Sequence, residues 1–577
     1  MTSSKTSGVP DYGTARIAGI PALVSLFSFF YYFRHSDLLL YGDAVAHINI
    51  ARRVFDSQTP GLLQLGTVWL PLPHLLMIPF IFFNSMWQSG AGGSIPSMIA
   101  YVLGAMGVFR LVGGMLAAYS SRQEGNEEGT NTAAAVGAWA AALAYAANPN
   151  LIYMQATAMT ESLYLALFIW AVVYFAEFVR ALNKNDLQKD DPQKNDARKK
   201  SDAVGRETRA LHAPLMRCAW CLAGAELTRY DGWFVAGAMG VAGAVIALRR
   251  WQNHAVRRAA TKFLVAIAVA PLLWLAYNGA VYGNAFVFAN GPYSAKAIEQ
   301  RVGAPNPALH NVGVAAIYFL KSAQLNMAEG NWGRFWLAAA FLAVIVGAWK
   351  LRSQSVAILL LWVPLPFYAY SIAYGSVPLH VYTWWPFATF NQRYGLQLLP
   401  MFAVAAGVLA ASVFRFAPSG RHRAKATAII FALMVASYAS VWKAGPQCLV
   451  EARKNWEARY SLNSAVERVI ARLPKNSRFL MDLGEHVGVM EQAGIPLRQV
   501  VNNENHRAWK RPIDPEGLWE RALADPPRYV DFVIVFDGDA VDQAVNRTNL
   551  TEVIEFHATD QPHARIYAPR STPNQSR

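Results

Sequence analysis

Residues 17–53 read IAGIPALVSLFSFFYYFRHSDLLLYGDAVAHINIARR. From Ile17 to Phe33 the stretch carries no charge, and an uncharged run of that length crosses a bilayer core as a helix. It lacks a small-residue cleavage site, so it reads as a retained membrane helix and not as a removed signal. The greasy run then gives way to a short polar helix in which Asp43 leads and His47 follows four residues later. That spacing puts both side chains on one helix face.

The rest of the chain repeats the first half of this pattern. Its 577 residues are 54% hydrophobic and 15% charged, against about a quarter charged in soluble domains. Apolar blocks recur at 17–33, 67–83, 98–118, 132–147, 155–178, 214–229, 231–248, 262–279, 335–349, 356–374, 395–414 and 426–443. The net charge of +15 sits in short connections between these blocks, which is the positive-inside pattern of a membrane protein and not the footprint of nucleic-acid binding. Three cysteines imply no disulfide framework, and Cys218 and Cys221 lie in an apolar run as inert thiols.

Placing the basic connections 184–209, 249–262, 350–352 and 415–425 in the cytoplasm fixes a topology. The N-terminus is then inside. The first loop (34–66), the loops 280–334 and 375–394, and everything after residue 443 face outward. Block 67–83 breaks the parity, and Pro71, Pro73 and Pro79 punctuate it. Proline removes backbone donors and breaks helices, so this block is expected to dip into the membrane without crossing. That leaves eleven crossings, or thirteen if the block is one of a pair.

Two domains follow: a membrane domain, 1–445, with a disordered cytoplasmic linker at 181–212, and a soluble α/β domain, 450–577, outside the membrane. In the second domain NSRFLMDLG, RYVDFVIVFDGD, EVIEFHA and ARIYAP read as strands.

Ionisable residues beside a bilayer are expensive, so each is a candidate for function. The topology gathers Asp43, His47, Glu161, Arg229, Asp231, Lys296, His380, Arg393 and Tyr394 on the outer side. Asp43 suits either a helix N-terminus or a general base at the membrane surface. Glu161, after Thr160, reads as a helix-start acid or a catalytic group. Arg229 and Asp231 pair with each other or serve a substrate. Arg393 snorkels to the interface or offers its planar fork to a phosphate. Asp43 and His47 together could hold a divalent metal, but two ligands alone are weak evidence for one, and a hydrogen-bonded pair or a substrate contact fits them better.

The first-loop segment, the TES helix start, the LTRYDGW turn and the NQRYG loop, taken in order over roughly residues 15–445, resemble the GT-C superfamily of multi-pass glycosyltransferases. That superfamily includes the protein O-mannosyltransferases of glycosyltransferase family 39 and the aminoarabinose transferases of lipid A. The resemblance implies a transferase of hexosyl or mannosyl type. It would take a sugar from a polyprenyl-phosphate donor and pass it, with inversion, to a lipid, glycan or protein acceptor on the outer face of a bacterial inner membrane. It implies catalytic roles for Asp43, His47 and Glu161, donor-phosphate contacts from Arg229, Arg393 and Lys296, and substrate contacts from Asp231, Tyr394 and His380. Many members carry a second acid near the first. Here that position is Val45, which weakens the case for a bound divalent metal.

The competing reading is a transporter or flippase for a lipid-linked or anionic substrate. Such proteins show paired repeats with broken helices at matching positions, and no internal repeat is visible in the sequence.

Overall fold

The computed structural model describes residues 11–120, 127–189, 197–291, 294–302, 305–351, 355–375, 377–484, 486–505, 517–559 and 561–570. The chain is a helical bundle followed by a small sheet domain. Among the described residues, eight helices are long and apolar enough to cross a membrane. This is fewer than the eleven to thirteen expected. The run at 67–83 breaks at its prolines into Leu72–Met77 and a short 3-10 turn, Ile78–Phe80. The run at 214–229 is the apolar half of a helix, Ala197–Glu226, that begins with charged residues. The run at 335–349 makes only a short helix.

The expected linker at 181–212 is helical where it is described. Residues 181–189 end the helix Glu161–Lys189, and residues 197–212 begin Ala197–Glu226. Residues 190–196 lie outside the described residues.

Burial sorts the helices. The first helix, Asp11–Arg34, leaves most of its apolar surface open, as a lipid-facing helix does, whereas Leu399–Phe416 lies at the centre of the bundle. Its Gly407 lets it approach the helix Glu127–Ala146 closely: a Cβ there would sit 2.6 Å from the Gly137 carbonyl oxygen.

A long helix, Gln447–Ile470, leaves the bundle and leads into the sheet domain. The five strands are β1 (Phe479–Leu480), β2 (Val500–Val501), β3 (Phe532–Phe536), β4 (Leu550–Phe556) and β5 (Ala564–Pro569), in the order β2-β1-β3-β5-β4. The first three run parallel, and β5 is antiparallel to both its neighbours. The four strands expected from the sequence are present; β2, only two residues long, was not anticipated.

Candidate active site

The polar helix of the first loop spans Gly42–Arg53. Asp43 does not cap it. The N-cap position is Tyr41, and the free backbone N–H of Gly42 donates to Asn455 Oδ1 (2.7 Å), a side chain from Gln447–Ile470. Asp43 is thereby released to reach outward, and its Oδ2 accepts from an Arg393 guanidinium nitrogen at 2.5 Å.

Arg393 does not snorkel outward. It is buried at the start of a 3-10 turn, Gln392–Leu398, that leads into the central helix. Asn391 holds a left-handed conformation (φ 56°), which asparagine tolerates better than most residues. The turn is fixed from two sides. Glu451 accepts the backbone N–H groups of Asn391 (3.0 Å) and Gln392 (2.8 Å), and Ser322 donates to the Gln392 carbonyl (2.7 Å). Gly395 lets the turn press on the helix Val312–Met327, since a Cβ would lie 2.6 Å from the Ala323 nitrogen.

Arg229 arrives from the turn between Ala197–Glu226 and Asp231–Arg249. Gly232 makes that turn possible: a Cβ there would meet the Ala225 carbonyl at 2.5 Å. One Arg229 nitrogen donates to Glu161 Oε1 and Thr160 Oγ1, both at 3.1 Å, and another donates to the Tyr368 hydroxyl at 3.1 Å. Its Nε lies 3.3 Å from Asp231 Oδ1, and Tyr368 in turn donates to Asp231 Oδ2 at 2.8 Å. Glu161 opens the helix Glu161–Lys189, and its Oε1 is also 3.5 Å from Arg393 Nε.

One chain of charges therefore runs Asp43–Arg393–Glu161–Arg229–Asp231. The Tyr394 ring lies against both guanidinium groups, at 5.6 Å from Arg393 and 5.4 Å from Arg229, and Tyr41 covers the other side of Arg393 at 5.0 Å. Two cations face three carboxylates, leaving one formal negative charge. Within this chain Asp43 is the open member, its side chain 38% exposed against 9% for Arg393 and 0% for Glu161. Arg393 Nε is buried without a hydrogen-bond acceptor, and Glu161 Oε2 is buried without a donor. Orphaned groups of this kind are rare and costly unless a ligand meets them.

Burial pushes the Asp43 carboxyl up, but Arg393 and then His47 more than offset it, so the group sits below its ordinary value. Burial pushes the His47 imidazole down to about 4, so it is neutral at neutral pH. Its Nδ1 lies 2.9 Å from His74 Nε2 in the helix Leu72–Met77.

The expected residues thus divide. Asp43, Glu161, Arg229, Asp231, Arg393 and Tyr394 meet in one cluster, with His47 one helical turn from Asp43. His380 stands behind it: its ring bonds the Pro305 carbonyl (2.7 Å) and its carbonyl accepts from the Gln392 side chain (3.1 Å), so it shapes the loop without touching the charges. Lys296 is exposed on the helix Ala295–Val302, and among the described residues no ion pair joins it to the cluster.

Sequence reading did not single out Tyr41, Tyr368 or the face of Gln447–Ile470 that carries Glu451, Asn455 and Arg459. These three lie four residues apart, on one stripe of the helix. Glu451 holds the Arg393 turn, Asn455 holds Gly42 beside Asp43, and Arg459 donates to the carbonyls of Leu39 (3.0 Å) and Leu40 (2.9 Å). The four-residue spacing is a signal the sequence did contain.

No protein-family model matches the sequence, and no curated protein matches it significantly. Among solved structures the chain is similar to ArnT from Cupriavidus metallidurans, bound to undecaprenyl phosphate, at 12% identity and a TM-score of 0.49, covering 95% of this chain and 97% of that one. It is also similar to the oligosaccharyltransferase AglB from Archaeoglobus fulgidus, in complex with an inhibitory peptide and a dolichol-phosphate, at 12% identity and a TM-score of 0.44, covering 97% of this chain and 74% of that one. At such distances the chemistry is read from the site itself.

Proposed function

We propose that this integral membrane protein is a glycosyltransferase. It takes a sugar from a polyprenyl-phosphate donor and passes it, with inversion, to an acceptor hydroxyl on a lipid, glycan or protein at the extracytoplasmic face. The N-terminus is cytoplasmic, and the sheet domain and the charged cluster lie outside, at the surface of a bacterial inner membrane. The observation that carries the reading is the outer end of the cluster, where a buried arginine with an unmet N–H is closed off by one solvent-accessible carboxylate. The order of motifs that resembles the GT-C superfamily agrees with it.

In this reading the polyprenyl tail stays in lipid, and the donor phosphate takes the Arg393 donors, with Arg229 behind it. Guanidinium forks suit phosphate oxygens, and fixed cations stabilise the negative charge that grows on the leaving phosphate. Phosphate binding also displaces Asp43 from Arg393. Freed of that cation in a partly desolvated site, the Asp43 carboxylate becomes a stronger base. It then accepts the proton of the acceptor hydroxyl as the oxygen attacks the sugar carbon and the carbon–phosphate-oxygen bond breaks. Neutral His47 packs beneath Asp43, Glu161 holds the two arginines apart, and Tyr394 keeps their planes in place.

The test is transfer of radiolabelled sugar from a polyprenyl-phosphate donor by purified protein into membrane acceptor extracts. Wild type transfers label. Asp43→Asn, which preserves shape and removes the base, loses at least about hundredfold in kcat/KM, at the low end for general-base catalysis. Equal transfer by both proteins contradicts the assignment of Asp43, and transfer by neither contradicts the function.

A further inference from the structure

A second group of side chains with metal-binding chemistry lies on the sheet domain, and it shares no residue with the charged cluster. Antiparallel pairing of β4 and β5 sets Glu555 opposite Arg565 and Phe556 opposite Ala564. Continued by one residue, that register brings His557 and His563 across from each other. Their rings stand edge to face, with centroids 4.3 Å apart. His557 Nε2 lies 3.3 Å from Glu555 Oε2, and His563 Nδ1 lies 3.8 Å from Glu555 Oε1. One ligand atom from each of the three residues falls within 4.8 Å of the other two.

Tetrahedral zinc, with bonds of about 2.0–2.2 Å, holds its ligand atoms about 3.3 Å apart. The His557–Glu555 pair already has that separation, and the remaining ligand atoms lie within 4.8 Å of one another. The carboxylates are oriented for the task. Arg565 donates Nε to Glu555 Oε1 (2.8 Å) and another nitrogen to Asp537 Oδ1 (2.7 Å). The second oxygen of each acid is left on the histidine side, with Asp537 Oδ2 3.8 Å from His563 Nδ1. An outer partner that fixes a ligating carboxylate in this way is a regular feature of metal centres. Two carboxylates against one arginine leave a formal negative charge, which favours a cation.

We propose that Glu555, His557 and His563 form a binding site for a divalent transition-metal ion of the zinc type, with solvent completing its shell. Two imidazole nitrogens and one carboxylate oxygen suit borderline ions of this class, whereas magnesium and calcium take oxygen ligands. Partial exposure supplies the entry path: the side chains of His557 and His563 are 60% and 44% exposed. The bound ion would clip the turn between β4 and β5. That turn also carries Gln561, which accepts from the Leu462 N–H (3.2 Å) and donates to the Ser461 hydroxyl (2.8 Å) on the helix Gln447–Ile470.

The experiment uses the full-length protein in detergent, stripped with a chelator and titrated with Co2+ while the visible d–d absorption is followed, then competed with Zn2+. Wild type should take up one equivalent with a d–d band that zinc abolishes. His557→Ala/His563→Ala should weaken binding by more than the roughly 10–100-fold that loss of an outer partner costs, and Glu555→Gln by at least about tenfold. Identical titrations of wild type and the double variant, or a wild type that shows no saturable band, overturn the proposal. Circular dichroism on each variant checks that the sheet is intact, and Glu555→Gln gives an independent reading if the double variant is unstable.

Discussion

Glu451 is predicted to control catalysis without touching substrate. It contributes two charge-assisted hydrogen bonds, 3.0 and 2.8 Å long, to the backbone that presents Arg393. In Glu451→Gln one carboxamide oxygen keeps one of these bonds, and the amide NH2 then faces the other backbone N–H, donor against donor. Hydrogen bonds to charged groups contribute about 1.5–3 kcal/mol. If that loss is expressed in the presentation of Arg393, kcat/KM falls about 10–150-fold.

A merely structural role would lower thermal stability alone. A positioning role predicts two further readouts. When Arg393 withdraws, the Asp43 carboxyl rises, so the acidic limb of the kcat/KM–pH profile moves to higher pH. Glu451 and Asn455 also act on opposite partners of one ion pair, so Glu451→Gln and Asn455→Ala should be non-additive, with a coupling of at least about 0.5 kcal/mol. The assay is sugar transfer by purified variants whose melting temperatures show them folded. A folded Glu451→Gln within twofold of wild type, or losses that simply add in the double variant, would refute the reasoning.

Arg393→Gln leaves the desolvation of Asp43 uncompensated; its carboxyl rises, and the acidic limb of the profile moves up while donor affinity drops, as isotope-labelled donor binding would measure. Gly395→Ala forces a Cβ to within 2.6 Å of the Ala323 nitrogen, so the Arg393 turn must shift; a stability loss of about 1–3 kcal/mol with a larger loss of transfer is expected from denaturation and activity measured together. Glu491 is buried against the first-loop helix, accepts from Asn49 (2.8 Å), and is raised by burial to about 8 from an ordinary 4.5. Because the folded form holds this proton more tightly, its contribution is complete below about pH 4.5 and is lost as pH rises towards 8, at up to ~1.4 kcal/mol per pH unit; Glu491→Gln should flatten that part of a melting-temperature profile against pH.

The sequence made the charged groups visible because each is costly beside a bilayer, and cost does not depend on knowing the partner. Their pairings were not legible for the same reason that helix caps mislead. Asp43 has the position of an N-terminal acid, and local spacing alone recommends it as a cap. The structure meets the backbone donor at Gly42 from Asn455, more than four hundred residues away, and that substitution frees Asp43 for Arg393. Arg229 shows the converse case. Its local partner Asp231 was readable two residues on, while Glu161 and Tyr368, which share the same guanidinium, come from other helices. Hydropathy registers apolar length and not continuity: the charged first half of Ala197–Glu226 shortens one apolar run, and the run at 335–349 makes only a short helix. The stripe of Glu451, Asn455 and Arg459 shares its four-residue spacing with exposed helices. What distinguishes it is that each member bonds the backbone of another segment, while Arg459 also donates to Asn455 within the stripe. The sheet domain's first helix is therefore part of the frame that sets the distance between Asp43 and Arg393. A displacement of that helix would part the pair without altering either residue, which places control of the proposed base in the C-terminal domain.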